Sequence, residues 1–213
     1  LLHEDQDILV VDKPSGLLSV ATEGGRTRTA YRLLRDWVTG RGPPGARLFI
    51  VHRLDRETSG LIVFAKTVSA KRALQSQFAA RSVERVYVAL VEGVPRTMEG
   101  TLTSRLTEDR SLRVRPTSDR RAGREAITRY RVVARRREGT LLGLRLGTGR
   151  RGQIRAQLAA AGHPIAGDRE HGARTDPLRR LALHATRLGF AHPRGGRVVF
   201  ESPPPPAFGR RPA

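Results

Sequence analysis

His52-Arg53-Leu54-Asp55-Arg56-Glu57-Thr58-Ser59-Gly60 places the carboxylate of Asp55 between two arginines, close behind a histidine, on a chain of formal net charge +20. An aspartate in that setting has two chemical fates. It can anchor the arginines as an ion pair, or act as a nucleophile that they keep ionised. Apolar runs lie on both sides, at residues 48–51 and 61–65. The stretch therefore reads as a connection between two strands, with Gly60 at a tight reversal and 61–65 as a central strand.

Working outward, residues 8–11 (Ile-Leu-Val-Val) read as a buried strand ended by a turn at 12–16, and 17–20 as a further short strand. Ala30, Leu33, Leu34, Trp37 and Val38 recur at helical spacing, and Ala70, Leu74 and Phe78 lie four apart on a second helix face. Residues 86–91 form a strand with Tyr87 on the face opposite Val86 and Val88. Polar alternation over 101–114 predicts a hairpin with one wet face, and 128–133 with 141–146 a second pair of strands. A helix starts at Gln153 and is ended by Gly162-His163-Pro164. Residues 181–185, 187–191 and 197–200 supply closing strands or short turns, before the proline run at 203–206. Strands outnumber helices without a regular βαβ alternation. The expected class is α+β, with mixed β-sheets and flanking helices, in a single domain over 1–213.

Composition narrows the function. Of the 213 residues 38% are hydrophobic, enough for a core, but no run is long and apolar enough to cross a bilayer as a helix. Cysteine is absent, which excludes disulfides, thiolate metal sites and a cysteine nucleophile. Lysine occurs only at 13, 66 and 71, so arginine carries nearly all the positive charge. Guanidinium groups fork onto phosphates and stack on bases, and a polyanionic partner is the direct reading. A solvated basic surface is the bland alternative. The basic residues are scattered rather than gathered on one amphipathic helix, which argues against a membrane surface. Six histidines without compact ligand spacing give no metal signal, and no nucleotide-cofactor motif is present.

The run after Gly60, Leu61-Ile62-Val63-Phe64-Ala65-Lys66, completes a block from His52 to Lys66 that resembles the signature of the RluA-type pseudouridine synthases. Arg85-Val86-Tyr87, Gln153-Ile154-Arg155, Gly162-His163-Pro164-Ile165-Ala166-Gly167-Asp168 and Leu181-Ala182-Leu183-His184-Ala185 follow in the family's order, so the resemblance runs from about residue 8 to 208. It implies the pseudouridine synthase catalytic fold with a central active-site cleft, and isomerisation of uridine in structured RNA without cofactor or metal. Asp55 would be the essential catalyst. Tyr87 would lie against the uracil ring, Arg155 would pair with and orient Asp55, and Arg53 would help displace the target base. His52, Arg151 and Gln153 would contact or position substrate, with Arg105, Arg110 and Arg113 on a phosphate track. Asp168 reads as a structural hydrogen-bonding group and His184 as an interior histidine.

The chain departs from the family where Arg151-Gly152 replaces Thr-His and Gln157 replaces His. It offers no room before residue 8 for the small RNA-binding domain of many relatives, so either it is a catalytic-domain-only member or the chain is truncated. The expected partner is ribosomal RNA ahead of transfer RNA, met by a cytoplasmic, bacterial monomer. Two other readings stay open. One is a non-catalytic RNA-binding or ribosome-assembly protein in which Asp55 only tethers Arg155, and the other is a base-removing glycosidase.

Overall fold

The computed structural model describes residues 1–21, 28–109, 113–119 and 121–208. In chain order the elements are β1 (His3–Glu4), β2 (Ile8–Lys13), α1 (Ala30–Arg41), β3 (Phe49–Ile50), β4 (Ser59–Ala65), α2 (Val68–Ala79) and β5 (Glu84–Val91). There follow β6 (Glu99–Glu108), β7 (Val114–Thr117), β8 (Arg124–Arg136), β9 (Gly139–Leu146), α3 (Gln153–Ala160), β10 (Leu183–Ala191) and β11 (Arg197–Glu201). This is the α+β class with helices flanking β-sheet that the sequence predicts. The chain divides into two compact units, 1–84 with 185–202 and 85–184 with 203–213.

In the first unit β2 and β4 pair antiparallel from Ile8↔Ala65 to Lys13↔Gly60. Every residue of β4 is buried, which is why its sequence is a continuous apolar run and not an alternation. Ile8, Val10, Leu61 and Val63 form the core with Ala70 and Leu74 of α2 and Leu188 and Phe190 of β10. Thr29 and Thr67 cap the two helices by accepting the backbone N–H three residues on. Two expectations need correction. The stretch 17–20 is not a strand, because Leu18 makes only an isolated bridge to Thr29. In α1 only Ala30 and Val38 are buried, and Trp37 stays 40% exposed. The Arg41 guanidinium sits 3.7 Å over the Trp37 ring, so that face is held by a cation–π contact.

The second unit is built on the antiparallel order β5–β9–β8–β6–β7. The predicted hairpin is β6 with β7, and the predicted second pair is β8 with β9. Helix α3 covers one sheet face, where Ala156 packs with Leu106, Val114 and Ala126. Two buried glutamines fix it there. Gln153 donates to the carbonyl of Ile127 and Oγ1 of Thr128, and accepts from the Thr148 hydroxyl and the Arg150 N–H. Gln157 donates to the carbonyls of Leu102 and Ala126 and to Ser104, and accepts from Thr128. Both amides are satisfied, as buried polar groups must be. Among the described residues no helix is long and apolar enough to cross a membrane.

Candidate active site

Asp55 lies in the connection between β3 and β4, and its two neighbours are pinned. The Leu54 N–H donates to Ser19 Oγ at 3.1 Å, while the Ser19 hydroxyl donates back to the Leu54 carbonyl at 2.7 Å. On the other side the Arg56 carbonyl accepts from the Gly16 N–H and from Lys13 Nζ, both at 3.0 Å. Lys13 is 1% exposed, and its ammonium also donates to the carbonyls of Pro14 and Leu17. Three donors meet three carbonyls, which explains a lysine in a chain that otherwise uses arginine. Ser15 donates to the Glu57 carbonyl, and the Thr58 N–H closes a turn on the Asp55 carbonyl. Gly60 adopts φ +111°, and a Cβ there would stand 2.3 Å from the Ala185 carbonyl oxygen. Gly60 thus stands inside β4, paired with Lys13, and not at the expected reversal, and its backbone there requires glycine.

Against that rigid backbone two side chains are uncommitted. Among the described residues neither the half-buried Asp55 carboxylate nor the exposed Arg53 guanidinium makes a hydrogen bond or ion pair. Asp55 is thus not the anchor of its flanking arginines, the first of the two fates open to it. His52 is tied into the fold. Its Nε2 accepts the Val63 N–H at 3.1 Å and its ring stacks on Phe78 at 4.6 Å, which ties the loop to β4 and α2. Sequence reasoning took residues 12–16 as a plain turn and missed Lys13 and Ser19. The available signal was a lysine between an apolar strand and a proline.

In the second unit Tyr87 is 8% exposed on β5 and pairs with Leu144. It shares a strand face with Arg85 and Ala89, opposite Val86 and Val88 as expected. Arg155 was expected to pair with Asp55. Within the second unit its Nε and Nη2 donate to Asp168 at 2.7 Å each, and Nη2 also to Glu170 at 2.8 Å. His171 Nδ1 lies 3.1 Å from Asp168 Oδ1. Burial alone would raise the Asp168 pKa, but the hydrogen bonds from Arg155 and His171 outweigh it and bring it down to about 2. Burial likewise disfavours the Arg155 cation, and its two carboxylate partners more than restore it. Asp168, Glu170 and His171 lie close enough to hold a cation, but the Arg155 guanidinium already occupies that role. Asp168 is therefore the structural group that the sequence suggested.

The remaining expected contacts divide. Gln153 is 2% exposed and fully engaged, so it is a joint of α3 and not an RNA contact. Arg105 is half-buried and donates to the carbonyls of Ala122 and Gly123, pinning the turn before β8. Arg151 is exposed and pairs with Glu108. Arg113 is exposed, and Arg110 lies outside the described residues.

A family profile described as RNA pseudouridylate synthase matches residues 7–160. Uncharacterized RNA pseudouridine synthase YhcT of Bacillus subtilis is 37% identical over 211 residues, 97% of this chain and 68% of that protein. Ribosomal large subunit pseudouridine synthase D of Zymomonas mobilis is 37% identical over 213 residues, 93% of this chain and 67% of that one. The solved structure of human RNA pseudouridylate synthase domain containing 4 superposes with a TM-score of 0.81 at 23% identity, covering 97% of this chain and 89% of that one, and so shares the fold. The profile match over most of the chain, with relatives this similar across it, identifies the chain as a member of the RNA pseudouridylate synthase family and an isomerase of uridine in RNA.

Proposed function

We propose that the chain is an RluA-type enzyme that converts uridine in structured ribosomal RNA to pseudouridine, with Asp55 as its catalyst. One observation carries this reading. The Asp55 backbone is clamped at both neighbours while its carboxylate is left without a partner in the fold. A fixed backbone with an uncommitted carboxylate suits catalysis, because the position is set before substrate arrives and the oxygens stay available to it.

The reaction breaks the bond between C1′ and N1, turns the base and joins C1′ to C5. The proton leaves C5 and N1 gains one, so atoms balance with no redox partner. Asp55 stabilises or captures the sugar carbon as N1 leaves. Arg53, exposed and unpaired, enters the space the base vacates and meets phosphate. Tyr87 offers an aromatic face to the uracil and a hydroxyl for proton transfer at the sugar. Arg155 acts as a positioning residue, a role supported by its fork onto Asp168. Ribosomal RNA is favoured over transfer RNA because relatives 34–39% identical are named large-subunit ribosomal enzymes.

The test is release of tritium from C5 of uracil in labelled cellular RNA. Wild type should release label and retain the base as pseudouridine, and Asp55→Ala should abolish release while keeping most RNA affinity. Equal turnover by the two proteins would remove Asp55 from the chemistry. Free uracil in place of pseudouridine would point to a glycosidase. Mapping pseudouridines with and without the gene tests the target, and loss confined to transfer RNA would overturn the ribosomal preference.

A further inference from the structure

The sheet of the second unit has a face that α3 does not cover. The register fixes which residues lie on it. Arg129 of β8 stands directly opposite Arg145 of β9, and on either side of that pair come Val86 of β5 and Thr101 of β6. The next row reads Val88, Gly143, Arg131 and Glu99. Tyr87, Leu144 and Tyr130 point the other way, to the face of Leu102, Ser104 and Thr128 on which Gln157 sits.

Arg129, Arg131, Arg145, Thr101 and Thr103 are exposed. Among the described residues none of the three arginines makes a hydrogen bond or ion pair. Like charges directly opposite on a sheet destabilise it, and here two guanidinium groups face each other on adjacent strands with Glu99 the sole carboxylate in these two rows. Gly143 leaves room for the Arg131 stem, whose Cγ and Nε lie 3.5 Å from where a Gly143 Cβ would stand. The outcome is a shallow face with three free guanidinium groups, two threonine hydroxyls and no apolar cover over them.

We propose that this face, carried by Arg129, Arg131 and Arg145, is a second RNA-contacting surface that holds the phosphodiester backbone of the substrate from the side of the sheet opposite Tyr87. It rests on the reading of the chain as an RNA enzyme and adds a surface that its catalytic residues do not use. Charge complementarity selects the occupant. Arginine side chains rooted about 5 Å apart across strands and about 7 Å apart along one can reach a string of phosphates, and the threonine hydroxyls add donors to phosphate oxygens. The cost of opposed arginines is relieved when an anion lies between them.

The experiment measures binding of a fluorescein-labelled RNA hairpin across a salt series, in an Asp55→Ala background so that turnover plays no part. The triple variant Arg129→Gln, Arg131→Gln, Arg145→Gln should lower the slope of log affinity against log salt by about 2 to 3. The advantage of the parent over the variant then shrinks by about 15- to 60-fold between roughly 50 and 200 mM salt. The thermal midpoint should hold or rise, and the corresponding triple Arg→Lys variant should keep the parent slope. Arg35→Gln, Arg41→Gln, Arg72→Gln, equal in net charge, should lose far less. An unchanged slope, an equal loss in that control, or a lowered midpoint in the glutamine triple would overturn the assignment. Tritium release by the enzyme with Asp55 intact is read separately. An active enzyme whose glutamine triple binds with the parent slope removes the surface alone. An inactive enzyme whose triple loses slope removes the isomerase reading and leaves the surface standing.

Discussion

Replacing Asp168 by asparagine keeps the shape of the side chain and removes the charge that Arg155 and His171 face. The Asp168 side chain is 1% exposed and takes two bonds from Arg155, so the charge is lost where water cannot replace it. Removing one partner of a buried pair costs about 3–5 kcal/mol when nothing compensates. Here Glu170 stays on Nη2 and the amide oxygen still accepts one bond, which leaves about 2–3 kcal/mol at neutral pH. The thermal midpoint should fall by about 4–12 °C. The same number has an independent check in pH. Asp168 titrates near 2 in the fold against an ordinary 3.8, so the unfolded chain binds the extra proton in acid. The ionised pair then contributes about 2 kcal/mol above the ordinary value, of which about 1 kcal/mol is gone by roughly pH 3 and nearly all below pH 2. Asparagine cannot titrate. The stability gap between the two proteins should therefore narrow by about 1 kcal/mol from pH 7 to pH 3, read by urea unfolding with circular dichroism. A gap under about 0.5 kcal/mol at pH 7, or one of equal size at both pH values, would refute the account of this pair.

Asp55→Asn should behave in the opposite way, leaving stability within about 0.5 kcal/mol of wild type while label release is lost, because its carboxylate holds nothing in the fold; a large drop in midpoint would make it structural after all. Gly60→Ala should cost about 3 kcal/mol or more, since its φ of +111° and the 2.3 Å approach to the Ala185 carbonyl both forbid a side chain; soluble expression with a wild-type midpoint would contradict that. Lys13→Met removes a buried charge but also the partner of three carbonyls, so the two terms offset to a net loss of about 1–2 kcal/mol. The looser loop should lower turnover at saturating RNA by about 100-fold, and full turnover would show that the clamp is dispensable.

The sequence makes the strands legible because burial writes them in two distinct scripts. The continuous run of β4 signals a strand buried on both sides, and the alternation of β6 signals one wet face. Residues 17–20 looked apolar enough for a strand but find no ladder, a tertiary fact that composition does not hold. Helix α1 has the spacing of an amphipathic helix, yet Leu33 and Trp37 remain exposed. Spacing reports which residues share a face and not whether anything covers it. Arg105 and Gln153 have structural bonds that the sequence does not show, for one reason. A polar side chain near a basic surface looks like a ligand contact until the carbonyls beside it are known, and those carbonyls lie far along the chain, in the turn before β8 and on β8 itself.

Asp55 and Asp168 show what local sequence can and cannot distinguish. Each lies within four residues of a histidine and beside an arginine, and each is a plausible acid or base by composition. The fold separates them by how their bonds are distributed. Asp168 is bonded through its carboxylate to groups that cancel its charge, so its chemistry is spent on holding α3 to the loop that carries it. Asp55 is held through the peptide groups of its neighbours, by a serine that both donates and accepts and by a lysine with three carbonyls. A carboxylate left without a partner among the described residues contributes no stability through its own side chain, and the residues that hold its backbone fix its placement. In the role proposed for Asp55, fixing the carboxylate before substrate arrives would lower the reorganisation that the reaction itself must carry.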